Sequence, residues 1–571
     1  MDIQKIKDSA KTWLTPSFDT ETQKAVQHLI DKDSQELIES FYKDLEFGTG
    51  GMRGIMGAGI NRINKYTLGR VSQGLINYLQ KKHPNKQCRI VIAYDCRKNS
   101  DTLAKTVADV FTANGVKVFL FENMRPTPEL SFAVSHLNCE AGIVLTASHN
   151  PPEYNGYKVY GSDGAQVVTP EDGLIIEEVN KLDFSEIKFD AKPDLLEYIG
   201  KDIDKAFIKT SVTNTCLKLK NRNDLTIVFT SLHGTSITVM PQVFEQAGYK
   251  NVHYVEEQRQ PDGNFPTVES PNPEEPAALK MALELAEKVN ADILIGTDPD
   301  SDRLGIAVRD LEGHMRLLNG NQTMSIMTSF LIKKWKKQGK LNGNQFVAST
   351  IVSTDMISEI ANSYGVENKI CLTGFKWIAK LIKDNTNQEF IGGGEESFGY
   401  MVGDYVRDKD AISATLLACE IASYAKQKGS TFYKELLGLY VKHDFYKEHL
   451  VAVVKKGMDG AAQIKQIMID LRKKPLAEID GEKVKYVYDY ESSTKRDLIT
   501  GKETQIDIPK SNVLVFLTEK GTKVAARPSG TEPKIKFYFS VNTPLESVER
   551  AGAVEQHLDE KNQRIAKIFD Y

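Results

Sequence analysis

Apolar runs of five to eight residues alternate with stretches of helical spacing along most of this chain. CRIVIAYD (88–95) predicts a strand ending in Asp95. SDTLAKTVADVFTANG (100–115) has helical spacing, a serine start and a glycine stop. VKVFLFE (116–122) predicts a second strand, Pro126 and Pro128 open a helix to about His136, and AGIVLT (141–146) predicts a third strand. This βαβαβ order is that of a parallel sheet covered by helices.

The same order recurs twice. LTIVFTSL (225–232), a helix to about Gly248, VHYVEE, the helix EEPAALKMALELAEKV and ADILIGT (291–297) make one unit. FVASTIVS (346–353), TDMISEIANSYG, KICLT (369–373), GFKWIAKLIKD and FIGGG (390–394) make another. The first ~45 residues are polar, charged and helical in pattern. Beyond about 440 the pattern changes. EHLVAVVKKG (448–457), a helix, four strand-like runs (VKYVYDY, SNVLVFLT, KVAARPS, KIKFYFS) and a terminal helix predict an α+β domain. The expected fold is therefore α/β: three related domains with parallel or mixed sheets at 1–205, 206–325 and 326–440, and an α+β domain at 441–571.

Composition narrows the function without naming it. The chain has 571 residues, with 73 Lys+Arg against 77 Asp+Glu, a net charge of −4. That balance argues against a nucleic-acid partner, which calls for a basic excess. No run of 18 apolar residues predicts a membrane span, and the first residues lack the apolar core of a secretory signal. The six cysteines form neither a C-x-x-C pair nor a zinc spacing, and reduced thiols in a cytoplasmic protein are expected.

The apolar runs near 143, 294 and 391 each end in a polar loop, where ligands collect in open α/β sheets. The first loop is Thr146-Ala-Ser-His-Asn-Pro151, which is no G-x-S-x-G elbow. The second, Asp298-Pro-Asp-Ser-Asp-Arg303, alternates three carboxylates. Each close pair costs up to ~4 kcal/mol at 4 Å and an effective dielectric of about 20, a repulsion that a divalent cation removes. An EF-hand fails, because Arg303 and Arg309 stand where glycine and glutamate are required. Hard oxygen ligands and room for a phosphate oxygen favour magnesium. The third loop, Gly392-Gly-Gly-Glu-Glu-Ser-Phe-Gly399, lacks the Lys-[Ser/Thr] of a P-loop and suits sugar hydroxyls better. The fourth, Arg527-Pro-Ser-Gly-Thr531, offers a guanidinium, hydroxyls and backbone N–H groups to a phosphate.

Taken together and in this order, the four loops resemble those of the α-D-phosphohexomutase family, the phosphoglucomutases and phosphomannomutases. The resemblance implies a phosphoserine loop, a magnesium loop, a sugar loop and a phosphate loop around a central cleft. It also implies a TATA-binding-protein-like fourth domain. Phe47-Gly-Thr-Gly-Gly-Met-Arg-Gly54 and Thr373-Gly-Phe-Lys-Trp377 look like the branch that holds bacterial phosphoglucomutases and the phosphoglucomutase-2/phosphopentomutase enzymes.

The family scheme implies phosphate on Ser148, with Ser148, Asp298, Asp300 and Asp302 as Mg²⁺ ligands. It implies His149, Lys158 and Arg53 as further catalytic residues, with Lys158 and His149 preferred as acid/base because arginine stays protonated. Arg303, Thr373, Gly374, Lys376, Glu395, Ser397, Lys409, Arg527, Ser529, Gly530 and Thr531 would bind the phosphosugar. The implied reaction interconverts glucose 1-phosphate and glucose 6-phosphate, with glucose 1,6-bisphosphate as activating intermediate. Phosphopentomutase, phosphomannomutase and glucose 1,6-bisphosphate synthase activities are the alternatives.

Overall fold

The computed structural model describes residues 3–569 apart from 33, 34, 49, 218, 220, 456 and 530–533. It forms two compact units. The first comprises 1–308, 314–318 and 399–424; the second comprises 309–313, 319–398 and 425–571.

The first unit carries two sheets. One has six strands in the order 51–55, 154–161, 141–145, 89–94, 117–121, 196–199. Its last four strands are parallel, as βαβ connections require. The strand Tyr154–Gly161 runs antiparallel to Ala141–Leu145, and Gly51–Ile55 runs antiparallel to Tyr154–Gly161. Ile90, Ile92, Ile143, Leu145 and Val159 join Leu75 and Phe111 in its buried core. The second sheet has five strands in the order 315–318, 304–309, 293–297, 227–230, 252–254, and Leu304–Arg309 is antiparallel to Ile293–Thr297. The N-terminal helices Ile3–Thr12, Thr20–Lys32 and Gln35–Phe41 pack around Trp13 in a separate cluster.

The sheets are thus mixed. The two antiparallel strands were not foreseen, because YNGYKVYG and LGIAVR are short and interrupted by glycine, which weakens an alternation signal. Gly156 is required in the first of them: a Cβ there would lie 2.5 Å from Thr146 O and 2.8 Å from Met52 O. The helix expected from about residue 274 begins only at Lys280, after Pro276.

In the second unit the strands Glu367–Cys371, Gln345–Thr350 and Glu389–Glu395 are parallel neighbours. The apolar run expected at 390–394 is the strand Glu389–Glu395, so the loop read from Gly392 onward begins only after Glu395. Gly393 lets two backbones meet, since a Cβ would sit 2.5 Å from Ala348 O. The C-terminal region is an antiparallel sheet in the order 445–454, 534–543, 523–528, 514–518, 482–489, 494–497, 503–505, accompanied by the helices Gly457–Lys473 and Ala551–Ile568. This is the sheet-rich fourth domain that the pattern beyond 440 predicted.

Candidate active site

Ser148 follows the central strand Ala141–Leu145 and is buried. Its backbone is left-handed, with φ of 53°, and its N–H donates to Thr146 Oγ1 at 2.8 Å. A non-glycine residue in this region carries a conformational cost of about 1–2 kcal/mol, so surrounding contacts must hold it. Arg97 supplies them. Its guanidinium donates to the carbonyls of Ser148 (2.6 Å), Pro151 (2.7 Å) and Tyr154 (3.0 Å), and also to that of Asn150. Asp95, 3.4 Å from Arg97 Nε, balances this buried cation. Arg53, exposed on the strand Gly51–Ile55, reaches the same loop through Asn150 Oδ1 at 2.9 Å.

The aspartate loop follows the strand Ile293–Thr297 and turns at Ser301, where φ is 63°. Asp298 Oδ1 accepts the backbone N–H groups of Asp302 and Arg303, each at 3.0 Å. On the outer side, Thr235 donates from backbone and hydroxyl to Pro299 O at 2.8 and 2.9 Å. Gly234 permits this approach, because a Cβ would lie 2.5 Å from Pro299 Cα.

Ser148 and Asp298, 150 residues apart, are joined by a hydrogen bond in which Oγ donates to Asp298 Oδ2 at 2.7 Å. His149 Nδ1 lies 3.2 Å from the same Oγ. Burial, reinforced by the Arg303 and Arg53 guanidiniums, pushes His149 down to about 2, so the imidazole is neutral. Lys158, on the antiparallel strand, donates to Asp300 Oδ2 at 2.7 Å and Asp302 Oδ2 at 3.3 Å. Burial works against its charge, but Asp300 and Asp302 outweigh burial and keep the ammonium protonated. Lys409 reaches Asp302 Oδ2 and Asp408 Oδ1, both at 3.1 Å, and Tyr160 donates to the other oxygen of Asp408 at 2.7 Å. Arg303 is ion-paired with Glu274.

Asp298, Asp300 and Asp302 are all buried, and each offers a carboxylate oxygen within 4.8 Å of the others. Burial, then repulsion from Asp300 and Asp302, pushes Asp298 well above the usual carboxylate range. Among the described residues, Asp300 Oδ1 and Asp302 Oδ1 are buried without a hydrogen-bond partner. Crowded oxygen donors of this kind fit a hard divalent cation such as Mg²⁺.

In the second unit, Glu395 Oε1 accepts the Gly374 N–H at 2.6 Å, and Thr350 and Ser353 donate to Glu396 Oε2, each at 3.1 Å. Gly374 has a φ of 117°, which disfavours any side chain there. Thr373, Gly374, Lys376 and Ser397 are half-buried, as are Arg527 and Ser529. Arg527 stands opposite Lys536 in the strand pair 523–528/534–543, and Ser529 N–H donates to Lys534 O at 2.7 Å. Gly530 and Thr531 lie outside the described residues. Tyr538 links the two groups. Burial pushes its hydroxyl up to about 12, with Glu396 adding to the shift and Arg527 opposing it.

Sequence reasoning missed Arg97, Thr127 and Tyr538. The Asp95-x-Arg97 pair at the end of a strand was the one available signal, and it resembles an ordinary loop.

A buried serine held against a three-aspartate loop suits phosphoryl transfer, and the family models and relatives make the class that of the mutases, which are phosphotransferases. The models of phosphoglucomutase/phosphomannomutase α/β/α domains I, II and III match residues 44–186, 205–313 and 319–440. A phosphoglucomutase of Staphylococcus aureus (strain MRSA252) is 40% identical over 531 residues, covering 91% of this chain and 94% of the relative. The chain belongs to the phosphoglucomutase/phosphomannomutase family, an α-D-phosphohexomutase family. A phosphoglucomutase/phosphomannomutase family protein from Burkholderia thailandensis shares the fold with a TM-score of 0.66 at 18% identity, over 92% of this chain and 97% of that one. The open form of parafusin from Paramecium does so with a TM-score of 0.64 at 17% identity, over 92% and 95%. No helix among the described residues is long and apolar enough to cross a membrane.

Proposed function

We propose that this chain interconverts glucose 1-phosphate and glucose 6-phosphate through phosphorylated Ser148. The observation that carries the reading is the 2.7 Å contact between Ser148 Oγ and Asp298 in a buried, three-carboxylate loop. A sugar hydroxyl attacks the phosphoryl group on Ser148. The P–Oγ bond breaks, a P–O bond to the sugar forms, and the product is glucose 1,6-bisphosphate. Its other phosphate then returns to Ser148, releasing the isomer.

Asp298, Asp300 and Asp302 would hold Mg²⁺ beside Ser148, where the ion offsets charge developing in transfer. Lys158, held protonated by Asp300 and Asp302, would return a proton, and His149 would accept one. Phosphate on Ser148 brings about two negative charges to His149 and raises its basicity. Arg53 orients the loop through Asn150. Glu395, Ser397, Thr373, Gly374 and Lys376 would bind sugar hydroxyls, and Arg527, Ser529, Gly530 and Thr531 the distal phosphate. Arg303 and Lys409 would also contact the substrate.

Mass spectrometry of the purified protein tests the scheme. An excess of about 80 Da mapping to Ser148 and lost in Ser148→Ala is expected. A kcat/KM panel over glucose, mannose and ribose phosphates tests the substrate. A higher value for ribose 1-phosphate would replace the glucose assignment by phosphopentomutase.

A further inference from the structure

Thr127 opens the helix Thr127–His136 and is fully buried. Its backbone N–H donates to Asp300 O at 2.9 Å, and its hydroxyl donates to Asp300 Oδ2 at 3.0 Å. Lys158 Nζ donates to the same Oδ2 at 2.7 Å. One oxygen of Asp300 therefore carries two donors, one of them an ammonium. The other, Oδ1, is buried and has no hydrogen bond among the described residues.

We infer that Thr127 is a positioning residue, which locks the Asp300 carboxylate so that Oδ1 is presented as the metal ligand. The inference rests on the reading of the aspartate loop as the Mg²⁺ site. The two carboxylate oxygens are equivalent, so a half-turn about the Cβ–Cγ bond of Asp300 changes nothing, but a partial turn would swing the unbonded oxygen away from Asp298 and Asp302. Lys158, a point charge on a flexible four-carbon stem, can follow that rotation. The Thr127 hydroxyl, on a short side chain whose main chain is tied to Asp300 O, cannot. The backbone bond from Thr127 to Asp300 O fixes the main chain in the same register, so the hydroxyl meets Oδ2 from one direction only. Loss of such an outer-shell partner typically weakens metal binding by about 10–100-fold.

The test is calorimetric titration of chelator-stripped protein with Mg²⁺ alone, with circular dichroism as the check on folding. Wild type and Thr127→Ser are expected to bind alike, and Thr127→Val and Thr127→Ala about tenfold or more weakly. A folded, hydroxyl-free variant with wild-type affinity overturns the inference. So does a serine variant as weak as the valine one, because packing of the methyl group would then be the cause. Unfolding of both the valine and alanine variants also overturns it, since Thr127 would then serve the fold. Wild-type protein that binds no Mg²⁺ overturns the metal reading of the loop and this inference with it. Normal wild-type binding with unaffected variants places the failure on Thr127 alone.

Discussion

Around Ser148, charge is buried against charge: Lys158 on Asp300 and Asp302, Lys409 on Asp302 and Asp408, Arg97 beside Asp95. Around Glu395 and Glu396 in the other unit, carboxylates accept from a backbone N–H and from two hydroxyls. The first arrangement is rigid. Removing one member strands another in a low dielectric, at a cost of about 3–5 kcal/mol. The second differs in that the bonds named for it come from neutral donors, although Glu395, Thr350 and Ser353 are themselves buried. Phosphoryl transfer profits from fixed charge in a dry site, whereas binding a sugar in two orientations profits from hydrogen-bonding groups that solvent can replace.

The contrast can be broken at several points. Ser148→Ala should leave the fold intact and lower mutase turnover by at least about 10³-fold, as loss of a nucleophile does elsewhere. Near-normal turnover with glucose 1-phosphate would end the phosphoserine scheme. Chelation of divalent metal should bring activity to background, with recovery on adding Mg²⁺. Unchanged activity would remove the metal role from the aspartate loop. Arg97→Met should destabilise the first unit by about 3 kcal/mol in denaturant unfolding, because Asp95 loses its counter-charge and four carbonyls lose their donor. A shift below about 0.5 kcal/mol, the range of ordinary surface changes, would contradict the rigid half of the comparison. Arg527→Ala should raise KM for phosphosugars about tenfold, equivalent to about 1.4 kcal/mol, with little change in the unfolding midpoint. Unaltered KM in the folded variant would remove Arg527 from the phosphate cradle.

Much of this was legible in the chain. The strands that end at Leu145 and Thr297 were apparent as apolar runs, and the loops after them as polar clusters, because both signals are local. The third loop was legible in composition, and FIGGG as the strand before it, but not the point at which strand gives way to loop. Its glycines continue a strand, since Gly393 is there to let the backbone approach Ala348, a contact between segments distant in sequence. Lys158 was singled out through a family resemblance. Its proximity to Asp300 depends on the strand Tyr154–Gly161 turning back antiparallel, which its weak alternation concealed. Thr127 looked like the start of any proline-flanked helix, and Arg97 like a surface charge. Each is buried, and each acts on residues that only folding brings near.

By itself the sequence determined the order of strands and helices, the loops that hold chemistry, and the oxygen-rich character of a metal site. Periodicity, turn residues and ligand type are properties of neighbouring positions. Tertiary structure alone decided which oxygens of Asp300 and Asp302 are turned toward a cation, which ammonium neutralises which carboxylate, and why His149 is neutral. Those outcomes depend on burial and on distances between groups far apart in the chain, such as Lys158 and Asp300, 142 residues apart, where a low local dielectric turns a few ångströms into the dominant energy.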